Sequence, residues 1–269
     1  MVTFAQEAEV KAEKKVKKEK PARPAFESSF IFDNPTNELL RKNALEVQMG
    51  HRFGLISGGT NDLAGFWAPS NIRIGLQFGI TDRINIGYGT TKFNRFQDFN
   101  LKVNLLQQTR SNKYPISITY YGNIAIDART KENFQYTQDR NSYFSQLIFA
   151  RRFSPNFSMQ IAPSISHFNV VDNTMRNDMI AVAIGGRYKI SPGTAIMIDY
   201  SQPITEFMKN NPHPGITVGF EFGTSAHAFQ IFASNYNAIV PQKNYMYNTN
   251  DFFNGDILIG FNITRIYNF

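Results

Sequence analysis

Residues 71–80 read NIRIGLQFGI, and this stretch decides the fold. Its isoleucines, leucine and phenylalanine occupy every second position, and the residues between them are small, polar or charged. A side-chain period of two is typical of a β-strand whose two faces differ. In a soluble β-protein the apolar face points into the core, whereas in a membrane barrel it points outward to lipid. The alternation by itself is compatible with both arrangements.

The same alternation recurs from Ala44 to the last residue, in twelve segments. An even number of strands is typical of bacterial single-chain barrels. A strand of about 11 residues that rises about 3.3 Å per residue and tilts by about 45° covers about 26 Å of membrane, close to the apolar band of such a barrel. The predicted strands lie at residues 43–54, 70–80, 83–93, 96–109, 114–129, 138–153, 156–171, 177–190, 193–203, 214–224, 226–239 and 254–269.

The connections between these segments alternate in length. Short, turn-like connections lie at residues 81–82, 110–113, 154–155, 191–192 and 225. The intervening connections are mostly longer and lie at residues 55–69, 130–137, 172–176, 204–213 and 240–253. Short periplasmic turns and long outer loops are characteristic of membrane barrels, so both termini are expected on the short-turn side. Asn94-Arg95 departs from this rule, because it is tight where an outer loop is expected.

Composition excludes the helical class of membrane protein. The chain has 269 residues, 42% of them hydrophobic, without a run of 18 apolar residues, and its mean hydropathy is -0.32. A closed barrel is the remaining membrane-spanning form, since every backbone N–H and C=O group in lipid needs a partner. The 25 Phe and 12 Tyr residues suit a lipid face with aromatic girdles, and no Cys is present to form a thiolate site.

We therefore predict an all-β fold, a closed antiparallel transmembrane β-barrel of 12 strands over residues 43–269. Its predicted location is the outer membrane of a Gram-negative bacterium. Residues 1–25 are expected to be the remnant of a signal peptide followed by a Lys-rich periplasmic tail, and residues 26–42 a lead-in segment. The apolar residues of this segment are compatible with an extra strand inside or below the barrel.

The N-terminal tail is predicted to be disordered or transiently helical. Residues 7–24 contain seven Lys or Arg and four Glu residues, with few large apolar side chains. No basic face with interleaved aromatics accompanies this charge, so no nucleic-acid partner is predicted. A solvated linker is the simplest interpretation, and docking of a periplasmic or envelope partner is the alternative. Residues 1–6, with small Thr3 and Ala5, resemble the end of a secretory signal.

The last predicted strand carries the sharpest local pattern. Its apolar face resembles the C-terminal signal by which Gram-negative outer-membrane barrels are recognised for insertion. Outer-membrane lipid and the barrel-assembly machinery are therefore the expected partners. Arg265 lies on the same face, where a long side chain can reach the headgroups. The candidate residues of the insertion signal are Phe261, Ile263, Tyr267 and Phe269.

Four ordered segments extend the resemblance. They are Gly50-His51-Arg52-Phe53-Gly54, Gly79-Ile80-Thr81-Asp82-Arg83, Gly185-Gly186-Arg187-Tyr188-Lys189 and residues 255–265. Together they resemble an uncharacterised family of Gram-negative outer-membrane β-barrel proteins, over about residues 43–269. The resemblance implies the same fold and location. That family has no assigned activity, so the resemblance supplies no functional residues.

The inward faces of the strands carry the candidate functional residues. Charges of both signs on a shared interior should pair, because an unpaired ion in a narrow lumen is costly. About eight strands are filled by their own side chains and about 16 to 18 leave a channel, so twelve strands allow two interpretations. One is a pore or binding barrel for a small polar solute, and the other is a charge-paired interior that merely fills the barrel. The lumen-facing candidates are Glu46, Arg52, Arg73, Asp98, Lys102, Asp127, Arg152, Arg187, Lys189, Asp199 and Glu221.

No catalytic residue, cofactor or metal site is predicted. His167 directly follows Ser166, which points the two side chains to opposite faces, and His51 lies on the apolar face. No G-x-S-x-G, H-E-x-x-H or P-loop motif occurs, and the acidic residues near the outer loops fit no EF-hand spacing. A pore or binding barrel is thus the leading function. A non-conducting envelope scaffold that docks a partner through its outer loops or tail is the second, and a membrane-embedded hydrolase is the third.

Overall fold

The computed structural model describes residues 19–269, and its strands close into a barrel. Twelve antiparallel strands pair with their neighbours in chain order, and the last strand pairs with the first. The predicted closed 12-stranded barrel is thereby confirmed. A separate hairpin consists of β1 (Phe30–Ile31) and β2 (Asn34–Pro35). The barrel strands are β3 (Ala44–Leu55), β4 (Asn71–Thr81), β5 (Ile84–Thr91), β6 (Phe96–Leu106), β7 (Ser117–Asp127), β8 (Asn141–Arg152), β9 (Phe157–Phe168), β10 (Asp178–Ser191), β11 (Thr194–Pro203), β12 (Gly215–Gly223), β13 (His227–Ser234) and β14 (Leu258–Asn268).

The two faces of the wall are inverted relative to a soluble β-protein. Ile74 and Val218 are 54% and 40% exposed on the outer face, whereas Arg73 and Glu221 are 8% and 1% exposed. Because neighbouring side chains along a strand point to opposite faces, this difference places the charged set in the lumen. The lipid-facing apolar surface expected of a membrane barrel is therefore present.

The short turns and both ends of the barrel sheet lie on one side, which we take as the periplasmic side. Ala44 at the start of β3 pairs with Asn268 at the end of β14. The tight outer connection is a 3-10 turn over Phe93–Arg95, in which Asn94 and Arg95 have φ values of 56° and 50°. No helix among residues 19–269 is long and apolar enough to cross a membrane.

Residues 26–42, here called the plug, fold into the lumen from the periplasmic side. The chain first follows the periplasmic turns, where Pro21 forms a bridge with Thr109, and it returns beside Gly79. A β-carbon at Gly79 would lie 2.1 Å from the carbonyl oxygen of Arg41, so the close approach requires glycine there. The predicted secretory remnant at residues 1–6 and most of the Lys-rich tail lie outside the described residues.

A short helix, α1 (Pro241–Tyr247), enters the lumen from the opposite, outer end. It belongs to the connection between β13 and β14, which the sequence indicates only as a long outer loop. Tyr245 and Met246 are each 1% exposed, because they pack on an apolar area of the inner wall. This apolar patch is formed by Tyr121, Phe144, Ile148, Ala162, Met179, Ala181 and Ala183.

The apolar patch departs from the simple expectation of a polar lumen. On β8 and β10 both faces carry apolar side chains, and the inward set includes Phe144, Ile148 and Met179. Burial of each such side chain contributes about 1.5–3 kcal/mol. The patch therefore gives α1 a binding surface inside a barrel whose other inner positions are mainly polar.

Candidate functional site

The filled lumen is the candidate site, and it contains most of the predicted lumen-facing residues. Arg152 and Lys189 are half-buried and lie near the periplasmic ends of their strands. Asp127 lies at the outer end of β7, where Arg129 pairs with it at 2.8 Å. The buried members of the predicted set are Glu46, Arg52, Arg73, Asp98, Lys102, Asp127, Arg187, Asp199 and Glu221.

Two ion pairs lie within the barrel wall itself. Arg73 binds Asp98 through two parallel hydrogen bonds, each of 2.8 Å, and Asn123 donates to the same carboxylate. Arg187 Nε donates to Glu221 Oε1 at 2.8 Å. The bidentate Arg73–Asp98 geometry is both strong and directional. Arg187 Nη2 also lies 3.6 Å from Glu27 Oε1 of the plug, so this cation faces carboxylates of both the wall and the plug.

Small residues on neighbouring strands make room for the Arg73 guanidinium. A β-carbon at Gly89 would lie 2.2 Å from Arg73 Nη2, and one at Gly75 would lie 2.6 Å from Nη1. The glycines between the apolar positions of β4 and β5 therefore have a specific role. They allow a large cation to lie flat against the inner wall beside Asp98.

Other charged groups of the wall find their partners in the plug. Arg52 is fully buried, and its Nη2 lies 2.8 Å from Asp33 Oδ1. Lys102 is also fully buried, and its Nζ donates to the backbone carbonyl oxygens of Ser29 and Glu38 at 3.0 and 3.1 Å. A buried cation needs such partners because its desolvation is costly.

Two wall carboxylates also face the plug. Glu46 accepts a hydrogen bond from the Ser29 hydroxyl at 2.6 Å, and Asp199 accepts one from the Asn34 side-chain amide. The charged groups of the lumen are therefore satisfied in two ways. Arg52, Arg73 and Arg187 pair with carboxylates, whereas Lys102, Glu46 and Asp199 are hydrogen-bonded to neutral groups of the plug.

The plug's backbone carbonyl groups are satisfied by wall side chains. Gln160 donates to Pro35, Gln230 to Phe30 and Asn262 to Phe32, at 2.8 to 2.9 Å. These donors lie on β9, β13 and β14, which surround the hairpin. An irregular segment inside a barrel needs such partners, since buried backbone polar groups must be hydrogen-bonded.

The plug and α1 meet near the middle of the lumen. The Tyr245 hydroxyl of α1 donates to Asn34 Oδ1 of the plug at 2.6 Å. The Gln242 side-chain amide of α1 donates to Asn123 Oδ1 on the wall strand β7 at 3.0 Å. The cavity left between them and the wall measures about 40 Å³. A water molecule needs about 10–15 Å³ on this measure, so the cavity has room for about three waters and for no organic solute.

The sequence pattern does not predict Asp33, Asn34, Gln242 or Tyr245 as lumen residues. The hairpin of the plug is indicated in the sequence by the polar turn Asp33-Asn34-Pro35, directly after the apolar Phe30-Ile31-Phe32. Six residues are too few to predict that this segment lies inside the barrel. Helix α1 has seven residues, which is too few for an amphipathic repeat to be recognised.

The remaining candidates lie on the outer face. Phe261 and Ile263 are half-buried, Tyr267 and Phe269 are exposed, and Arg265 lies 4.8 Å from the Tyr267 ring. His51 stacks on Phe261 with ring centroids 5.1 Å apart, whereas Ser166 is fully buried on the lumen side. His51 and Ser166 thus lie on opposite faces of the wall.

Comparison with known proteins identifies a family and a fold. A family model described as a membrane bound beta barrel domain (DUF5777) matches residues 26–267, and the match includes the plug. No curated protein matches the chain. The NanC porin is similar with a TM-score of 0.53 at 7% identity, over 84% of this chain and 99% of its own. At this identity the likeness concerns the fold alone.

Two further solved structures are similar at lower scores. An outer-membrane channel from Pseudomonas putida F1 has a TM-score of 0.49 at 10% identity, over 86% of this chain and 97% of its own. The KdgM porin has a TM-score of 0.49 at 6% identity, over 84% of this chain and 99% of its own. The family match and the lipid-facing barrel confirm the predicted resemblance and the outer-membrane location. Outer-membrane lipid is accordingly the partner of the outer face.

Proposed function

The chain belongs to the DUF5777 family of membrane-bound β-barrel domains, and on this premise we propose that its barrel is a passage or binding barrel for a small polar solute. The plug and α1 hold this passage closed. The observation that carries the proposal is the polar contact surface between wall and plug. Arg52, Lys102, Glu46 and Asp199 face the plug with charged groups, not with apolar side chains.

Withdrawal of the plug would leave a mainly polar wall, apart from the apolar Ala150, Met197 and Phe232 that the plug covers. The pairs Arg73–Asp98 and Arg187–Glu221 would remain, since both partners of each lie on barrel strands. The charged groups that lose a plug partner would be hydrated instead, and water substitutes well for such contacts. Twelve strands enclose a lumen that accommodates a hairpin and a helix, so its emptied form has the width and lining for a small polar solute.

Planar-bilayer conductance tests this function. We compare the wild-type protein, a variant without residues 26–40, and a variant that also has residues 241–247 replaced by a Gly-Ser linker. The wild-type protein is expected to carry current only at the level of the leak, and the double variant to conduct steadily. Folding is checked by the faster migration of unheated protein on denaturing gels. A folded double variant without current, or a wild-type protein that is freely open, contradicts the proposal.

A second candidate function is a non-conducting scaffold. It is favoured by the filling of the lumen from both ends, by the plug and by α1. The described part of the tail, Glu19–Pro24, follows the periplasmic turns, and Ser111 Oγ donates to Glu19 Oε2 at 2.6 Å. A partner on that side would therefore meet the tail and the turns together. A pull-down with and without residues 7–25 tests this role, which fails if no envelope protein is lost with the tail.

We propose no catalytic role for the chain. The hydrolase hypothesis depends on His51 and Ser166 acting together, and these residues lie on opposite faces of the barrel wall. Phospholipid turnover that is lost in His51→Ala or Ser166→Ala, with the barrel still folded, would contradict this statement.

A further inference from the structure

A cavity opens at the outer end of the barrel, beside α1 and apart from the closed lumen. Its volume is about 430 Å³, which is within the usual range for small-molecule sites. We call it the vestibule. It is lined by the end of β7, the connection from β7 to β8, the end of β9 and the outward face of α1. The residues used below are Asp127, Arg129, Phe134, Arg140, Lys243 and Tyr247.

Three cations line the vestibule, and two of them have no carboxylate within salt-bridge distance among residues 19–269. Arg129 is neutralised by Asp127, which it contacts at 2.8 Å. Arg140 and Lys243 form no such pair in the described part of the chain. The other lining carboxylate, Asp139, accepts a hydrogen bond from the Tyr136 backbone N–H at 2.7 Å. With three cations and two carboxylates in its lining, the vestibule carries a formal net charge of +1, and Arg140 and Lys243 keep donors that no described carboxylate pairs with.

Aromatic rings hold these cations in place without neutralising them. Lys243 Nζ lies 3.6 Å from the centre of the Tyr247 ring, and the Arg140 guanidinium lies 4.8 Å from that of Phe134. The Tyr247 ring in turn meets Phe168 edge-on at 5.1 Å. Cation–π contacts orient an ammonium or guanidinium group while its N–H donors stay available. Apolar ring surface and free donors thus lie side by side.

We propose that the vestibule binds a small organic anion, whose carboxylate is held by Lys243 and Arg140 and whose ring packs against the aromatic wall. Two cations with free donors match one carboxylate. The adjoining rings favour a ligand with a flat apolar face over a bare ion. As a statement about the solute that the passage carries, this inference rests on the proposed function, whereas the binding itself does not.

Benzoate is a suitable probe, because it combines a carboxylate with one ring. Its binding to the closed wild-type protein in detergent is measured by isothermal titration calorimetry at pH 7. We expect Lys243→Met and Arg140→Gln each to weaken benzoate binding about tenfold, the loss expected for a hydrogen bond to a charged group. Lys243→Arg should retain binding. Lys209→Met is the matched control, because Lys209 is exposed in another outer connection and should have no effect.

Two other probes separate the parts of the site. Benzyl alcohol has the ring without the charge, and inorganic phosphate has charge without the ring; both are expected to bind more weakly than benzoate. The inference is overturned if benzoate does not bind, if Lys243→Met and Arg140→Gln bind it like the wild-type protein, or if either other probe binds as tightly. Because the wild-type barrel is closed in this measurement, a failed conductance experiment leaves the result intact.

Discussion

The plug and α1 fill the same lumen from opposite ends, but they are held there by different forces. The plug contacts the wall through ion pairs and hydrogen bonds, such as Arg52–Asp33, and through Ile31 and Phe32 on one side. Helix α1 is held mainly by Tyr245 and Met246 on the apolar patch. The plug therefore combines ionic, hydrogen-bonded and apolar contacts, whereas α1 is held mainly by apolar ones.

This difference indicates which contacts of each segment water can replace. Hydrogen bonds that are exchanged for bonds to water contribute only about 0.5–1.5 kcal/mol each. An apolar side chain that is exposed to water costs about 1.5–3 kcal/mol. The plug's polar contacts are replaceable by the water that would fill an open lumen, whereas its buried Phe26, Ile31 and Phe32 and the apolar contacts of α1 are not.

Removal of the plug's main ionic contact should have the largest effect. Asp33→Ala leaves the fully buried Arg52 without its carboxylate, which should destabilise the docked plug by about 3–5 kcal/mol. Hydrogen exchange of residues 28–37 should then become faster, while that of α1 stays slow. Glu206→Ala, in an exposed outer connection, is the control. Unchanged exchange of the plug in Asp33→Ala would contradict the polar description of its interface.

Truncation of the apolar contact should loosen the other segment. Met246→Ala removes a side chain that is 1% exposed, and such core truncations cost about 2–5 kcal/mol. Amide exchange within residues 241–247 should become faster. Met208→Ala is a matched control, because Met208 is 78% exposed. Similar effects of the two substitutions would mean that α1 is not held by the apolar patch.

The contact between the two segments should contribute less. Tyr245→Phe removes the hydroxyl that donates to Asn34, worth about 0.5–1.5 kcal/mol. A double-mutant cycle of Tyr245→Phe with Asn34→Ala, read from the exchange of both segments, should give a coupling energy of that size. Tyr236→Phe is the control, since the buried Tyr236 hydroxyl has no partner among residues 19–269. A coupling energy of zero would mean that the plug and α1 dock independently.

The smallest effect concerns the pH dependence of benzoate binding by Lys243, on the outward face of α1. Burial, with the nearby Arg129, lowers the pKa of Lys243 to about 8, although Asp127 opposes this. Tyr247 stays neutral, because burial raises its pKa to about 12. Lys243 is therefore cationic below pH 8 and neutral above it. Benzoate affinity should fall severalfold between pH 7 and pH 9.

Lys243→Arg supplies the control for this titration. Arginine keeps its charge throughout this range, so its benzoate affinity should be constant between pH 7 and pH 9. Arg140 and Asp139, which also line the vestibule, are unchanged in both proteins. An equally steep fall in Lys243→Arg would assign the pH dependence to another group.

The barrel could be predicted from sequence because a strand period of two is repeated twelve times, as in residues 71–80. The inward charges, such as Arg73 and Asp98, follow from the same alternation. Their partners do not, since the register of the strands decides that Arg73 meets Asp98, and the docked plug brings Asp33 to Arg52. The rule that inward residues are polar also fails on β8 and β10. Nothing in the sequence indicates that α1 covers the inward Phe144 and Met179.

Arg52 joins three parts of the chain that are far apart in sequence. It lies on the first barrel strand, and it donates to Asn262 on the last strand at 3.0 Å as well as to Asp33. The first and last strands come together only when the barrel seam closes during biogenesis. The final step of closure therefore also completes the binding site for the N-terminal segment. A docked plug should favour pairing of β3 with β14, and separation of these two strands should release the plug.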